Sequence, residues 1–221
     1  MIIDLHCHTR PRSDDSDLDP EDAILCAKSA GLDGVCFTEH DWHWSQEDVD
    51  RLREEHDFPV FRGMEISSDE GHLLVFGLHE YRFGMHHASY VRELVDEVGG
   101  VIVLAHPFRR QVKYNSNPGE LLEQICGQEI LGLVDAVEVL NGGSNAKENE
   151  FAGAIRRRLG LKGVGGSDAH SPSDLPSYAT EFERRISSLD QLVSELKAGR
   201  FKPVDLRRPG RTLPDPRRTT H

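Results

Sequence analysis

Asp4-Leu5-His6-Cys7-His8 stands at the end of the first apolar run of the chain and carries residue types that bind metal ions. Side chains alternate along an extended segment, so His6 and His8 leave the same face while Cys7 points the other way. Two imidazole nitrogens can therefore reach one cation. The pair alone is weak evidence, because histidines also occur at strand ends as ordinary polar residues.

Four later apolar runs also end in residue types that bind metals. They end in Thr38-Glu39-His40-Asp41, Gly63-Met64-Glu65, Ala105-His106-Pro107 and Ser167-Asp168-Ala169-His170. The carboxyl ends of parallel strands lie on one side of a sheet, so these distant residues can share one site. An open sheet gathers ligands at one switch point, whereas a barrel presents every strand end to the same centre. The number of such endings favours a barrel.

Amphipathic segments alternate with the apolar runs, which is the order expected of repeated strand–helix units. Strands are predicted near residues 1–5, 33–38, 59–66, 72–78, 101–105, 134–140 and 162–166, and helices near 20–30, 46–54, 87–97, 119–124, 146–159 and 189–198. The sequence therefore predicts an α/β fold, a distorted, TIM-barrel-like (β/α)7 barrel of parallel strands.

The composition indicates one acidic domain over residues 1–200, with 221 residues in all and a formal net charge of −12. That charge argues against a stable nucleic-acid complex, while twelve histidines make metal chemistry worth testing. The four cysteines form no CxxC pair, which predicts reduced thiols and a cytoplasmic protein. No signal stretch or membrane-spanning run is visible, so no membrane partner is expected. The oligomeric state stays open.

Residues 201–221 form a basic, proline-rich segment without periodicity, and we predict that this tail is disordered. A contact with RNA or an acidic partner is the alternative, but charge runs of this kind are usually solvated.

Glu65 has two interpretations in isolation, a helix or turn cap before Ser67-Ser68 or a metal ligand. A carboxylate with two oxygens can bridge two cations, and a two-metal site needs such a bridge. Asp168 and His170 repeat the His6–His8 spacing after Gly165-Gly166, where the missing side chains let the backbone pass close to a ligand. Because other strands also end in metal-binding residue types, the interpretation of Glu65 as a metal ligand is favoured.

The motifs together resemble those of the PHP (polymerase and histidinol phosphatase) domain, a family of metal-dependent phosphoesterases related to the amidohydrolases. The resemblance covers residues 1 to about 200. It is carried by Asp-Leu-His-Cys-His-Thr at 4–9, Thr-Glu-His-Asp at 38–41, Gly-Met-Glu-Ile-Ser at 63–67, His-Leu-Leu at 72–74, Leu-Ala-His-Pro at 104–107 and Gly-Ser-Asp-Ala-His at 166–170.

The resemblance implies a site for two or three divalent ions, and Mn²⁺, Zn²⁺ and Fe²⁺ all suit imidazole and carboxylate ligands. It assigns His6, His8, Glu65 and Asp168 to one ion, Glu65, His72 and His106 to a second, and Asp15, His40 and His170 to a third. It gives Glu65, Asp168 and His170 catalytic roles. Two ligand choices stay open, Asp14 as a rival of Asp15 and His79 as a rival of His72.

The function implied is hydrolysis of a phosphate ester by a metal-bridging hydroxide, on a small phosphorylated metabolite, a nucleotide or a short RNA end. Arg109, shortly after His106-Pro107, is placed to clamp a phosphate, unless it is a solvated surface residue. Asn141 follows a predicted strand and could hydrogen-bond the substrate. Glu138 is a candidate to orient a ligand, and Trp42 and Trp44 could stack on a base or pack at the rim.

Two other functions compete with this one. The chain could be a non-catalytic metal-binding module that acts through a protein partner, but degenerate ligand positions would mark such a module and nearly all are filled here. Amidohydrolase chemistry is the third candidate, and it usually employs a lysine or cysteine bridge where this chain has Glu65.

Overall fold

A computed structural model of the chain describes residues 1–110 and 118–207. Within these ranges nine strands form one sheet in the order β7-β6-β5-β4-β3-β2-β1-β8-β9. The strands are β1 (Ile2–Cys7), β2 (Gly34–His40), β3 (Val60–Ser68), β4 (Gly71–Phe76), β5 (Val101–Leu104), β6 (Ala136–Asn141), β7 (Lys162–Gly166), β8 (Tyr178–Phe182) and β9 (Phe201–Asp205). The helices are α1 (Pro20–Ser29), α2 (Gln46–His56), α3 (Ala88–Val98), α4 (Pro118–Cys126), α5 (Ala146–Leu159) and α6 (Leu189–Ala198).

The sheet curls into a nearly closed barrel, which confirms the predicted fold class. Its end strand β7 contacts β1, β8 and β9, which lie at the other end of the hydrogen-bonded order. A single parallel bridge between Cys7 and Ala169 joins the end of β1 to the segment after β7. The ends of β1 and β7 are thereby brought to the same rim.

The prediction that all strands are parallel is wrong. β4 is antiparallel to both β3 and β5, and β8 is antiparallel to β1 and β9. Asp69 and Glu70 alone connect β3 to β4, and two residues can join antiparallel strands but cannot hold a crossover helix. His72 near the start of β4 is paired with Ser67 near the end of β3. The reversed strand therefore still delivers His72 to the rim where the parallel strands end.

Two strands were not predicted, β8 and β9. They pair with each other in an antiparallel hairpin-like arrangement across α6, with Phe182 opposite Phe201. β9 lies beyond residue 200, so the domain boundary that we expected there is five residues too early. The remainder of the predicted disordered tail, residues 208–221, lies outside the described residues.

The helix ends follow from the sequence. Asn145 accepts hydrogen bonds from the backbone N–H groups of Lys147 and Glu148, and the Glu148 carboxylate accepts one from the Asn145 N–H. This capping box begins α5. Gly160 ends the same helix with a φ of 69°, a left-handed conformation that glycine adopts without steric cost. No helix in the described part of the chain is long and apolar enough to cross a membrane.

The barrel interior is filled by one apolar cluster. This cluster takes side chains from β1 to β8, including Leu5, Leu74 and Val103, and adds Leu192 and Leu196 from α6. Two further clusters pack the remaining helices against the outside of the sheet. The polar residues at the strand ends therefore lie directly above this apolar cluster.

Glycines at β7 allow the barrel to close. A Cβ atom on Gly165 would lie 2.6 Å from the Ala179 carbonyl oxygen, and one on Gly166 would lie 2.5 Å from the Cβ of His6. Neither distance is compatible with a side chain. The Thr180 hydroxyl fixes the approach, because it donates to the Gly165 carbonyl at 2.8 Å and accepts from its N–H at 3.0 Å.

Candidate metal centre

Four buried side chains meet at the centre of the barrel mouth. His6 Nε2 lies 3.0 Å from His8 Nε2 and 3.3 Å from Asp168 Oδ1. His8 Nε2 lies 3.3 Å from both Glu65 Oε2 and Asp168 Oδ1. Two imidazole nitrogens that face each other with carboxylate oxygens around them are arranged as ligands of one cation. These are the four residues that the resemblance to the PHP domain assigns to the first ion.

Glu65 extends the cluster toward β4 and β5. Its Oε1 lies 3.1 Å from His72 Nδ1 and 2.9 Å from His106 Nε2. Its Oε2 lies 3.0 Å from His40 Nδ1. One carboxylate thus faces the ligands of all three predicted ions, as a bridging ligand must. His79, the rival of His72, instead contacts Arg62 with its Nδ1 2.6 Å from Nη2.

The third predicted group gathers at the more open side of the mouth. Asp15 Oδ2 lies 3.2 Å from His40 Nε2 and 3.4 Å from His170 Nε2. The rings of His40 and His170 flank that of His8, with centroid distances of 4.1 and 4.4 Å. Asp14 is exposed and has no such contact among the described residues. The structure therefore brings Asp15, rather than Asp14, to the cluster.

The geometry fits metal ions better than hydrogen bonds. Within the described ranges the buried Glu65 Oε2 has close imidazole neighbours and yet makes no hydrogen bond of acceptable geometry. His6 Nε2 and His8 Nε2 can share at most one proton between them. Nitrogen and oxygen atoms that point at a common space, instead of at each other's protons, form a ready set of ligands for divalent metals.

The pKa shifts of the clustered side chains also favour a metal site. Burial alone would lower the pKa of His8, but the facing carboxylates of Asp168 and Glu65 raise it to about 9. His6 is also buried, and the charges of Asp168, Glu138 and Glu65 raise its pKa well above the ordinary value. Burial would raise the pKa values of Glu65 and Asp168, yet the facing imidazole of His6 holds both well below their usual range. The carboxylates therefore attract positive charge that a divalent cation can supply.

Glu138, on β6, orients ligands from two other strands. Its Oε1 lies 3.1 Å from His6 Nδ1, and its Oε2 accepts hydrogen bonds from the His106 backbone N–H at 2.8 Å and from Asn141 Nδ2 at 2.9 Å. A carboxylate on the far nitrogen of a histidine fixes the ring and makes the other nitrogen a better ligand. Glu138 is buried and needs no role as a ligand itself.

Glu39 has a similar supporting role. Its carboxylate accepts hydrogen bonds from the Thr9 N–H at 2.8 Å, the Ser13 hydroxyl at 2.6 Å and Trp44 Nε1 at 2.8 Å. These bonds tie the loop after β1 to the end of β2, which carries His40, and to Trp44 in the following loop. The sequence analysis missed this network, although the acid beside His40 was a signal. Trp44 is buried by it, so only Trp42, 48 % exposed, is available for stacking.

Arg109 and Asn141, the two residues predicted to contact substrate, lie beside the candidate metal ligands. The Arg109 guanidinium donates to the Asp168 carboxylate, to Asn141 Oδ1 and, at 3.2 Å, to Ser144 Oγ. A cavity of about 300 Å³ opens next to it and is lined by His72, His106 and Arg109, among others. This volume suits a small ligand whose charged group faces the metal ligands.

Two of the ligands stand on strained backbone. His106 has a φ of 25° and Asp168 a φ of 54°, a region that non-glycine residues seldom adopt. Such residues persist where the surrounding structure holds them and where function uses them. At Asp168 the hold is visible, because its N–H donates to the His6 carbonyl at 2.7 Å.

The chain is therefore a distorted α/β barrel with a candidate histidine–carboxylate metal site at its mouth. The sequence profile of a family described as PHP-associated matches residues 146–201, from α5 to the start of β9. With the fold, this match supports a PHP-family domain, in agreement with the resemblance of the motifs. No curated protein matches the chain.

Three solved structures share the fold. A proposed metal-dependent phosphoesterase of Bifidobacterium adolescentis is 18% identical, with a TM-score of 0.62 over 88% of this chain and 95% of that one. PsfC of Pseudomonas syringae is 18% identical, with a TM-score of 0.63 over 92% and 91%. An amidohydrolase of Chromobacterium violaceum, with bound sulfate and no metal, is 17% identical, with a TM-score of 0.59 over 92% and 98%. At these identities the likeness concerns the fold.

Proposed function

We propose that the chain is a metal-dependent phosphoesterase that hydrolyses the phosphate ester of a small metabolite, a nucleotide or a short RNA end. The observation that carries the proposal is the position of Glu65, whose two oxygens face three groups of ligands while Arg109 stands beside the same centre. Bridged cations next to a guanidinium suit an anionic ester, because both stabilise negative charge on phosphate oxygens.

The ligand sets would hold two or three ions of Mn²⁺, Zn²⁺ or Fe²⁺. His6, His8 and Asp168 belong to the first, His72 and His106 to the second, and the third takes its ligands from the open side of the mouth. The residues of that third set are Asp15, His40 and His170. When bound, the ions would make a water molecule ionise near neutral pH and neutralise charge on the phosphate.

The chain's own residues supply binding and orientation. Arg109 is placed to donate to a phosphate oxygen, and Asn141, which its guanidinium contacts, would hold that side chain or the substrate itself. Asp168 stays ionised, because the facing imidazole of His6 outweighs burial and holds the pKa of Asp168 well below the usual range. Its carboxylate would hold a metal ion and accept a hydrogen bond from the attacking water. The His170 ring is fixed by a 2.9 Å contact from Nδ1 to the Asp168 carbonyl, which leaves Nε2 directed at the centre.

A small substrate in the cytoplasm completes the proposal. The cavity of about 300 Å³ beside Arg109 has room for a phosphorylated metabolite or a nucleotide. The four cysteines are free, as expected of a reducing compartment. The negative net charge of −12 speaks against a stable nucleic-acid complex, and we expect no membrane partner.

The first experiment measures the metal content of the purified chain and phosphate release from sugar phosphates, nucleoside monophosphates, histidinol phosphate and short 5′-phosphorylated RNAs, with each metal. We expect two or three ions per chain and turnover of one class. Asp168→Ala should lose turnover and bound metal. Asp22→Asn, at an exposed position on α1, should keep both.

An active, fully metallated Asp168→Ala protein would contradict the proposed site. Bound metal without turnover on any ester would indicate a binding module, and turnover of cyclic amides instead would indicate an amidohydrolase.

Arg109→Ala tests the substrate side of the proposal. It should raise KM for phosphorylated substrates about 10- to 100-fold, as expected for loss of a charged hydrogen bond, and leave metal content unchanged. Arg110→Ala is the matched neighbour, because Arg110 is exposed and contacts the site only through the cavity rim. Equal effects of the two substitutions would remove Arg109 from the substrate site.

A further inference from the structure

The loop between β4 and α3 runs the height of the barrel because β4 is antiparallel. At its start, Gly77 packs against Gly100. Gly100 immediately precedes β5, which begins at the end of the barrel opposite the mouth. At its end, the His86 carbonyl accepts a 2.8 Å hydrogen bond from the N–H of Asp69, in the turn between β3 and β4. The loop therefore returns the chain to the rim and sets His86 and His87 beside that turn.

Three ligand-type side chains meet at this place, outside the barrel centre. The rings of His86 and His87 are 4.1 Å apart between centroids, and His87 Nδ1 lies 3.7 Å from Asp69 Oδ2. One ligand atom from each of the three residues lies within 4.8 Å of the others, as in the groups at the centre. The residues come from two separate segments, the β3–β4 turn and the end of the loop before α3.

Two of the side chains are exposed, that of His86 is partly exposed, and none of the three caps the helix. His87 occupies the N-cap position of α3 but makes no side-chain capping bond. The Glu70 carboxylate takes that role and accepts a 3.2 Å hydrogen bond from the Ala88 N–H. The side chains of His87 and Asp69 are 58% and 68% exposed, so an ion can reach them without any opening of the fold.

We propose that Asp69, His86 and His87 form a second metal site, separate from the barrel centre, for a divalent ion of the Zn²⁺, Cu²⁺ or Ni²⁺ type. Two imidazoles and one carboxylate are the ligand set that such ions prefer, and water completes the coordination. A bound ion would cross-link the β3–β4 turn to the start of α3. Because Gly71 and His72 follow the turn directly, the ion would also steady the edge of the catalytic mouth.

The test titrates zinc into the full chain after chelation of bound metal and counts sites by competition with a chromophoric chelator. His86→Ala/His87→Ala should take up one ion fewer than the wild-type chain. His43→Ala/His56→Ala is the matched control, because it also removes two histidines that lie outside both clusters, and it should bind the wild-type number. Zinc should slow hydrogen exchange at residues 84–90 in the wild-type chain and the control, and not in the double variant.

Asp69→Asn leaves both histidines and the helix in place and so guards against misfolding of the double variant. It should weaken the additional site about tenfold or more, since a neutral amide is a poorer ligand than a carboxylate. A double variant that binds as many ions as the control overturns the proposal. So does zinc protection of residues 84–90 that persists in Asp69→Asn with unchanged affinity. The site does not depend on phosphoesterase activity, so its absence would leave the proposed function untouched.

Discussion

Glu138 Oε1 lies 3.1 Å from His6 Nδ1, while Oε2 of the same carboxylate accepts the His106 backbone N–H at 2.8 Å. A single buried side chain on β6 thereby aligns ligands from β1 and from the end of β5. Candidate ligands of two proposed ions are thus coupled through a side chain that is not itself a candidate ligand.

Glu138→Gln should lower metal affinity about 10- to 100-fold, the usual effect of removing a carboxylate behind a metal-bound histidine. The amide keeps the size of the side chain but loses the charge and one acceptor. Competition with a chelator of known affinity measures the change. Glu150→Gln, at an exposed position on α5, is the control and should bind like the wild-type chain. Equal affinities for the two variants would show that Glu138 does not orient His6.

Asp15→Ala should reduce the number of bound ions by one, because Asp15 Oδ2 lies 3.2 and 3.4 Å from His40 and His170. Its neighbour Asp14 is equally acidic and exposed and is therefore a close control. Metal content by mass spectrometry should show a loss for Asp15→Ala and none for Asp14→Ala. The reverse result would assign the third ion to Asp14.

Gly166→Ala should destabilise the chain by about 1–3 kcal/mol, the usual range for overpacking, because the new methyl group meets the Cβ of His6 at 2.5 Å and Glu138 Oε1 at 2.7 Å. Metal affinity should fall as well, since both contacts belong to the centre. Gly132→Ala is the control, because nothing lies within 4 Å of its added Cβ. Urea unfolding measures both variants, and similar stabilities would mean that β7 can move away from β1.

Asp4 makes the stability depend on pH. Burial raises its pKa from 3.8 to about 6, although hydrogen bonds from the backbone of Ser167 and His6 oppose the shift. Between these values the folded chain holds a proton on Asp4 that the unfolded chain has released. Protonation therefore stabilises the fold fully below pH 3.8, and this contribution is lost as the pH rises through about 6. The cost of the ionised form near pH 7 is on the order of 3 kcal/mol.

Asp4→Asn removes the ionisation and should stabilise the chain near neutral pH relative to the wild type. The gain should shrink as the pH falls from 7 to 4, because the wild-type carboxyl then becomes neutral as well. Urea unfolding of the metal-free chain at several pH values measures this difference, with exposed Asp22→Asn as the control. A difference between Asp4→Asn and wild type that is constant with pH would show that Asp4 titrates alike in both states.

The sequence predicted the barrel and the side chains that meet at its mouth because both depend on local patterns. Apolar runs that end in His6, Glu65 or Asp168 locate the strand ends, and closure brings those ends together whatever the details of the loops. Strand direction could not be obtained in this way, since alternation along β4 is the same in both directions. The gap of five residues between the predicted strands ending at 66 and beginning at 72 was the available signal, because it is too short for a crossover helix.

Residues that position the candidate metal ligands were harder to predict than the candidate ligands themselves. Glu138 was a candidate, but its contacts to His6 and His106 exist only once β1, β5 and β6 are neighbours. The hydrogen bonds of Glu39 and the burial of Trp44 depend on contact between two loops that are distant from each other in the sequence. The choice between Asp14 and Asp15 rests on the path of one loop, which composition and spacing do not specify.

The glycine pair on β7 also bears on how this chain can be varied in the laboratory. Atoms of the main chain, such as the Ala179 carbonyl oxygen, stand opposite Gly165, so no substitution elsewhere can make room by trimming a neighbouring side chain. A mutant library directed at the mouth can therefore randomise the rim loops in search of new specificities. It should leave codons 165 and 166 unchanged, because diversity there would be spent on chains whose barrel does not close.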